Sequence, residues 1–336
     1  MRAIVQERYG PIDALELREV DRPAIRDDEV LVRVRAASVH ADVWHTVVGQ
    51  PYVLRVMGAG LRRPKQTIPG IDLAGTVEEV GPAVTRFSAG DDVYGEIVTS
   101  NQWRNGGAFA EFATARERLL QPKPERLSFV EAAGVPTSSM IALRALREEG
   151  ALHAGQRVLV NGAGGGVGIF AVQIAKATGA HVTAVDDATK LELLRSIGAD
   201  VAIDYRERDF TRGDQRYDLI LDVASTRSFD ECRRVLSADG KYVMIGHDHF
   251  GATGHRWFGS LGTFAKLLLR TPFTPQLPRP AFTSKDPEPP LAVISRMIDE
   301  GSITPVIDRT FPLEQVREAL QYLMTGTPRG KIILTI

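Results

Sequence analysis

Residues 157–176 read RVLVNGAGGGVGIFAVQIAK, and the fold follows from how that stretch is read. RVLV is a short apolar run suited to a buried strand. The glycines after it make a turn, and the apolar spacing over 167–178 predicts a helix. Inside the turn the pattern is Ala163-x-Gly165-x-x-Gly168, the dinucleotide-binding fingerprint with alanine in first place. Ala163, Gly164, Gly165 and Gly166, followed by Val167, are small enough for a tight turn whose backbone approaches a pyrophosphate. Gly168 lets the helix pack close to the strand, and the helix N-terminus adds partial positive charge.

Downstream, HVTAV (181–185) reads as a second strand ending in Asp186, 18 residues beyond Gly168. A carboxylate there accepts both ribose hydroxyls of an adenosine and repels a 2′-phosphate, which favours NADH. Lys190 and Tyr205 lie where a 2′-phosphate would be met, so NADPH stays open. A helix over 188–197 and strands at 201–203, 218–222 and 241–245 continue the rhythm, which predicts a parallel sheet with right-handed crossovers. Gly246, after the last of these strands, is a further cofactor-side candidate, and His247, Asp248 and His249 follow it.

Upstream, the texture is β-rich. EVLVRVRA (29–36) alternates apolar and charged residues, IDLAGTVEEV (71–80) is stopped by Gly81-Pro82, and GDDVYG (90–95) reads as a turn feeding a strand. Residues 129–150 predict a helix, with Ser128 and Glu131 as a capping box. Residues 271–290 are proline-rich and read as a connector or lid. Helices over 291–300 and 313–325 and a closing strand, KIILTI, complete the reading.

Composition narrows the class. The chain has 336 residues, enough for two cores, and its 41 Lys and Arg against 42 Asp and Glu give no net field for nucleic acid. The lone cysteine, Cys232, excludes an internal disulfide and a Cys-rich zinc lobe. MRAIVQERYGP lacks a signal-peptide core, and no run of about 20 apolar residues exists to span a membrane. A cytoplasmic enzyme or binding protein is the expectation.

These segments, with LSFVEAAGVPTSSMIALRAL, PGIDLAGTVEEVG, RFSAGDDVYGE, GAFAEFA, LELLRSIGADVAIDY, TPVIDRTFPLEQVREAL and RGKIILTI, resemble the medium-chain dehydrogenase/reductase superfamily. The similarity spans nearly the whole chain. It is strongest to the zinc-independent quinone oxidoreductase branch and the group like the reticulon-interacting reductase, some of whose relatives are called NAD(P)-dependent alcohol dehydrogenases. The resemblance implies an α/β architecture: a GroES-like β-barrel domain from 1–122 and 271–336, and an inserted Rossmann domain, a doubly wound parallel sheet, at 123–270. It places the active site at their junction and implies a homodimer through strand KYVMIG.

The resemblance also frames SVHADVWH (38–45). Zinc-dependent relatives carry ligands at positions that here read His40, Ile71 and Val135. Two of the three have no donor atom, whereas a catalytic zinc needs three protein ligands, so no metal is expected, with Asp42 and Asp72 as the only conceivable helpers. Zinc-free relatives mostly have Asn in place of His40. The resemblance puts residues 40–45 on the wall of the reaction cleft, where His40 orients a carbonyl or relays a proton, Asp42 raises the imidazole's basicity, and His45 faces the nicotinamide. Both histidines also fit as wall residues without a chemical task. Tyr52, Trp103, Phe109 and Phe258 are candidates to line the acceptor pocket, with core or rim packing the alternative, and Trp44, which matches the close group, is a further pocket candidate.

The function expected is hydride transfer from NAD(P)H to a quinone or α,β-unsaturated carbonyl, a small-molecule acceptor polarised enough to react without metal. The alternatives are a dehydrogenase or reductase of simple alcohols, aldehydes or ketones, and a dinucleotide-binding sensor without turnover.

Overall fold

The computed structural model describes residues 1–98, 105–246, 256–278 and 288–336. The chain forms two units. The first comprises Met1–Thr137, the described part of His249–Gly259, and Pro305–Ile336. The second comprises the described parts of Ser138–Asp248 and Ser260–Thr304.

The first unit opens with an antiparallel ribbon of β1 (Arg2–Val5) and β2 (Glu16–Glu19). Alternation in β3 (Glu29–Val39) sends Val30, Val32 and Val34 into the core. Helix α1 (Ala41–Val48) follows at once, burying Val43, Trp44 and Val47, and ends at Gly49, whose φ of 66° suits a residue without a β-carbon. β4 (Asp72–Val80), β5 (Asp92–Glu96), β6 (Phe112–Arg116) and β7 (Leu120–Pro122) come next, then α2 (Phe129–Ala133) and α3 (Pro136–Arg144).

The second unit alternates strand and helix: β8 (Arg157–Asn161), α4 (Gly168–Ala177), β9 (His181–Asp186), α5 (Leu191–Ser196), β10 (Val201–Asp204), β11 (Tyr217–Asp222), α6 (Phe229–Cys232) and β12 (Leu236–Met244). Helices α7 (Leu261–Arg270) and α8 (Pro290–Asp299) follow. The chain then returns to the first unit as β13 (Ile307–Pro312), α9 (Val316–Met324) and β14 (Lys331–Thr335).

The large sheet of the first unit runs β13-β14-β3-β4-β5-β7, with β6 also on β3. Register shifts near Leu31 and Val34 bend β3, which pairs with β4 along its length, with β6 near its start and with β14 near its end. The second unit holds a parallel sheet of order β10-β9-β8-β11-β12. Strand order reverses between β8 and β11, where Asn161 lies opposite Asp222. Ligands of doubly wound sheets bind outside the carboxyl ends of the strands at such a reversal.

Three expectations need adjustment. The single helix over 129–150 divides, because Pro136 offers no N–H and restricts the residue before it; α2 stops at Ala133, α3 starts at Pro136, and Ala145–Glu149 adds a wider turn. The unit boundaries fall at 137/138 and 304/305 rather than 122/123 and 270/271. α2 packs on β3, β4 and β14, which keeps it in the first unit, whereas Gln173 on α4 exchanges two hydrogen bonds with Thr304, at 3.0 and 2.8 Å, holding that segment to the second. The proline-rich stretch contains a helical turn at Thr271–Phe273, and its residues 279–287 lie outside the described residues.

Candidate active site

The glycine-rich turn meets its physical requirements. A β-carbon on Gly168 would sit 2.3 Å from the Gly162 carbonyl oxygen and 2.5 Å from that of Ala163, so only glycine lets α4 start this close to β8. At Gly165 the nearest atom to such a carbon is the Gly162 oxygen at 3.6 Å, so the chain itself leaves that side open. Ala163 is fully buried and its N–H donates to the Val185 carbonyl at 3.1 Å, tying the turn to β9.

Asp186 is engaged on both oxygens. Oδ2 accepts from the Gly164 N–H at 2.7 Å; Oδ1 accepts from the Asp187 N–H at 2.8 Å and lies 3.3 Å from Lys190 Nζ. The Lys190 side chain lies across Gly164, where an added β-carbon would meet its Cδ at 2.6 Å, and the residue is buried rather than a solvated helix lysine. Tyr205 is exposed and donates its N–H to the Asp186 carbonyl at 3.2 Å. Arg206 stacks over the Tyr205 ring and pairs with Asp187 at 2.7 Å. Acid, lysine and tyrosine thus converge on one edge of the turn. Gly246, with φ 84°, closes the end of β12 against Phe264.

A buried polar network at the strand reversal escaped the sequence reading. The Asp222 carboxylate, fully buried, accepts from Asn161 Nδ2 at 2.7 Å, Tyr242 OH at 2.7 Å and the Ser225 N–H at 2.8 Å. Burial pushes this carboxyl above the usual range, with the three donors opposing. The only sequence sign was the acid ending YDLILD.

In the first unit, His40 and Asp42 do come together. His40 precedes α1, and its Nδ1 lies 3.3 Å from Asp42 Oδ2. Its Nε2 lies 3.8 Å from Asp72 Oδ2, beyond hydrogen-bond range, and this buried nitrogen has no hydrogen-bond partner among the described residues. Strand register explains the grouping. Leu73 pairs with Ala37 and Ile332 with Val39, so one step on Asp72 falls opposite Ser38 and Lys331 opposite His40. Asp72 is fully buried at the N-terminus of α3, accepting the Thr137 hydroxyl at 2.5 Å and the Thr137 N–H at 3.3 Å.

Lys331, buried to 1 % exposure, was not anticipated. Burial holds its ammonium down at about 8, against the pull of Asp72 and Asp42. Burial pushes Asp72 up, with His40, Lys331 and Thr137 opposing. Burial also raises Asp42, but the hydrogen bond and charge of His40 and the charges of His45 and Lys331 outweigh it and leave the carboxyl below its ordinary value.

The remaining candidates separate. The His45 ring bonds through Nδ1 to the Gln50 carbonyl at 2.7 Å and meets the edge of Trp44, so its ring ties down the turn after α1. Trp44, at 4 % exposure, packs in the core, because α1 turns it inward with Val43 and Val47. Tyr52 stacks edge-on with Trp257, 5.3 Å between centroids, and donates its N–H to the Arg256 carbonyl; Phe258 beside Trp257 is exposed. Trp103, His247, Asp248 and His249 lie outside the described residues.

A zinc ion does not suit this donor set. Ile71 and Val135 are fully buried hydrocarbon, and among the described residues no group of three His, Cys, Asp or Glu is arranged to hold a metal. The buried ammonium of Lys331, acting on both Asp42 and Asp72, already supplies positive charge there.

Residues 26–125 match the family described as alcohol dehydrogenase GroES-like domain, and residues 197–334 match that described as zinc-binding dehydrogenase. A chloroplastic quinone-oxidoreductase homolog of Spinacia oleracea is 32% identical over 99% of this chain and 98% of its own. A chloroplastic NADPH-dependent alkenal/one oxidoreductase of Arabidopsis thaliana is 31% identical over 99% of this chain and 79% of its own. Among solved structures, the quinone oxidoreductase from Coxiella burnetii superposes with a TM-score of 0.83 at 25% identity, covering 100% of this chain and 99% of that one.

Proposed function

The chain belongs to the medium-chain dehydrogenase/reductase superfamily, in its quinone oxidoreductase branch, and from that premise we propose that it reduces quinones or α,β-unsaturated carbonyl compounds with NAD(P)H and without metal. One observation carries the choice of acceptor: Ile71 and Val135 stand where a zinc-dependent relative would bring ligands, and a simple ketone needs the polarisation a metal supplies. A conjugated acceptor is already electron-poor.

When bound, the reduced nicotinamide supplies a hydride to that acceptor. Ala163 to Gly165 form the turn, their N–H groups already donated to Val185, Asp186 and Gly162, and residues 166–168 at the start of α4 would hold the pyrophosphate through backbone N–H groups. Asp186 receives the adenosine ribose. Because Lys190 neutralises that carboxylate and Arg206 stands beside Tyr205, the site accepts a 2′-phosphate as well, so both coenzymes serve. His40, with Asp42 on its Nδ1, supplies the proton that completes the reduction, and His45 shapes the wall.

β12 is an edge of the parallel sheet, which supports pairing with a second copy, although the Tyr242 N–H is already taken by the Gln276 carbonyl at 2.8 Å. No helix among the described residues is long and apolar enough to cross a membrane.

The test follows oxidation of NADH and NADPH separately against quinones, enones and simple ketones, with metal analysis of the same sample. Turnover confined to conjugated acceptors and insensitive to EDTA is expected. Stoichiometric zinc with loss of activity in EDTA, or turnover of simple ketones alone, would overturn the reading.

A further inference from the structure

Three ionisable side chains lie about His40: the carboxyls of Asp42 and Asp72 and the amine of Lys331, which the β14–β3 register sets opposite it. The two carboxyls attract a proton on the imidazole and a charged amine repels it. A buried site disfavours net charge, so these groups exchange protons as a set.

Its scaffold is rigid. Asp72 and Lys331 come from β4 and β14, the strands on either side of β3, and His40 follows directly on β3. Thr137 holds the Asp72 carboxylate through its hydroxyl and N–H, at the positive end of α3. The Lys331 stem packs near Gly134 and Ile307, since a β-carbon on Gly134 would lie 3.4 Å from Lys331 Cγ and 3.2 Å from Ile307 Cδ1. Among the described residues, the charged and titratable groups about His40 are Asp42 and His45 on α1, Asp72 on β4, its cross-strand neighbour Glu96 on β5, and Lys331 on β14.

We propose that Asp72 and Lys331 are positioning residues of opposite sign that set how firmly His40 holds its proton, and that this proton is delivered to the reduced acceptor. The inference rests on the proposed function. With a hydride supplied by the bound coenzyme, the β-carbon of an enone, or a quinone, would be reduced and the electron pair of the broken π-bond would end on an enolate or phenolate. That anion takes the proton from the His40 imidazolium, and the neutral imidazole regains one from solvent. Asp72 attracts that proton and the Lys331 ammonium repels it.

Opposite signs make the test specific. In protein labelled at histidine, His40 is assigned by its loss in His40→Asn, and its imidazole titration is followed by NMR in wild type, Asp72→Asn, Lys331→Met and Lys331→Arg. Removing the carboxylate lowers the midpoint by about one pH unit, removing the ammonium raises it by about one, and the arginine variant restores the wild-type value. The alkaline limb of kcat moves with each midpoint, while NADPH binding by fluorescence stays within about twofold. A structural role alone shifts melting temperature but not the midpoint in opposite directions. Turnover with an unmoved midpoint, or with both substitutions moving it the same way, overturns the role of the pair. Opposed movement without any turnover overturns proton delivery and the functional reading together.

Discussion

The Gly164 N–H donates to the Asp186 carboxylate at 2.7 Å, so the glycine-rich turn and the acid at the end of β9 form one hydrogen-bonded unit. Lys190 closes that unit from the side, 3.3 Å from the other carboxylate oxygen. On the proposed reading, coenzyme choice rests on this pair of side chains and not on the acid alone.

Lys190→Met keeps most of the stem across Gly164 and removes the ammonium. The uncompensated carboxylate then opposes the additional phosphate of NADPH. Its Kd is expected to rise about tenfold, equivalent to about 1.4 kcal/mol, with that of NADH changing less than about threefold. Fluorescence titration with both coenzymes measures this; equal losses would deny Lys190 a part in discrimination.

Gly165→Ala and Gly168→Ala separate binding from folding. An alanine at 168 collides with two backbone carbonyls and is expected to cost about 1–3 kcal/mol in denaturant unfolding. One at 165 finds space in the chain, so stability should stay within about 0.5 kcal/mol. Its methyl projects where a pyrophosphate approaches, so coenzyme affinity should still fall. A Gly165→Ala protein that binds normally would place the phosphates elsewhere.

Asp222 gives a pH dependence with a definite sign. Burial raises its folded-state pKa above the ordinary 3.8, so the folded form binds the proton more tightly than the unfolded chain. The resulting stability is fully present below the unfolded value and is lost as pH rises through the folded one. Asp222→Asn fixes a neutral side chain. Melting temperature, variant minus wild type, should therefore climb as pH rises above about 4. The lost acceptor adds an offset equal at every pH, so the slope is the readout.

His45→Ala removes the bond to the Gln50 carbonyl and the edge contact with Trp44. Losing that bond to a part-buried acceptor should cost about 0.5–1.5 kcal/mol, measured by urea unfolding. A neutral substitution would mean that the turn after α1 holds without the imidazole.

The Rossmann turn was legible because its meaning is local: strand, glycines, helix and acid follow one another within about thirty residues, as such units do. The pairing of His40 with Asp42 was legible for the same reason. Lys331 was not, since a single charge heading the apolar KIILTI carries no local sign of what it faces; only the β14–β3 register sets it opposite His40. The burial of Trp44 was not legible because α1, eight residues long, is too short for its apolar spacing to show which side turns inward. Lys190 was equally readable as solvated or phosphate-facing, and the turn at Ala188–Lys190, which folds it back onto Asp186, settled its burial.

The return of β13 and β14 to the first unit has a consequence for biosynthesis. On the ribosome, β3 acquires β4 and β6 early, but its remaining edge has no partner until the whole second unit has been translated. The nascent N-terminal unit therefore exposes an apolar strand edge throughout that interval, a feature that invites mispairing and chaperone engagement. Arrested nascent chains halted near residue 300 should be cleaved readily by protease within residues 29–39, and chains extended past β14 should resist; equal resistance of both would mean that the edge of β3 is protected by another route.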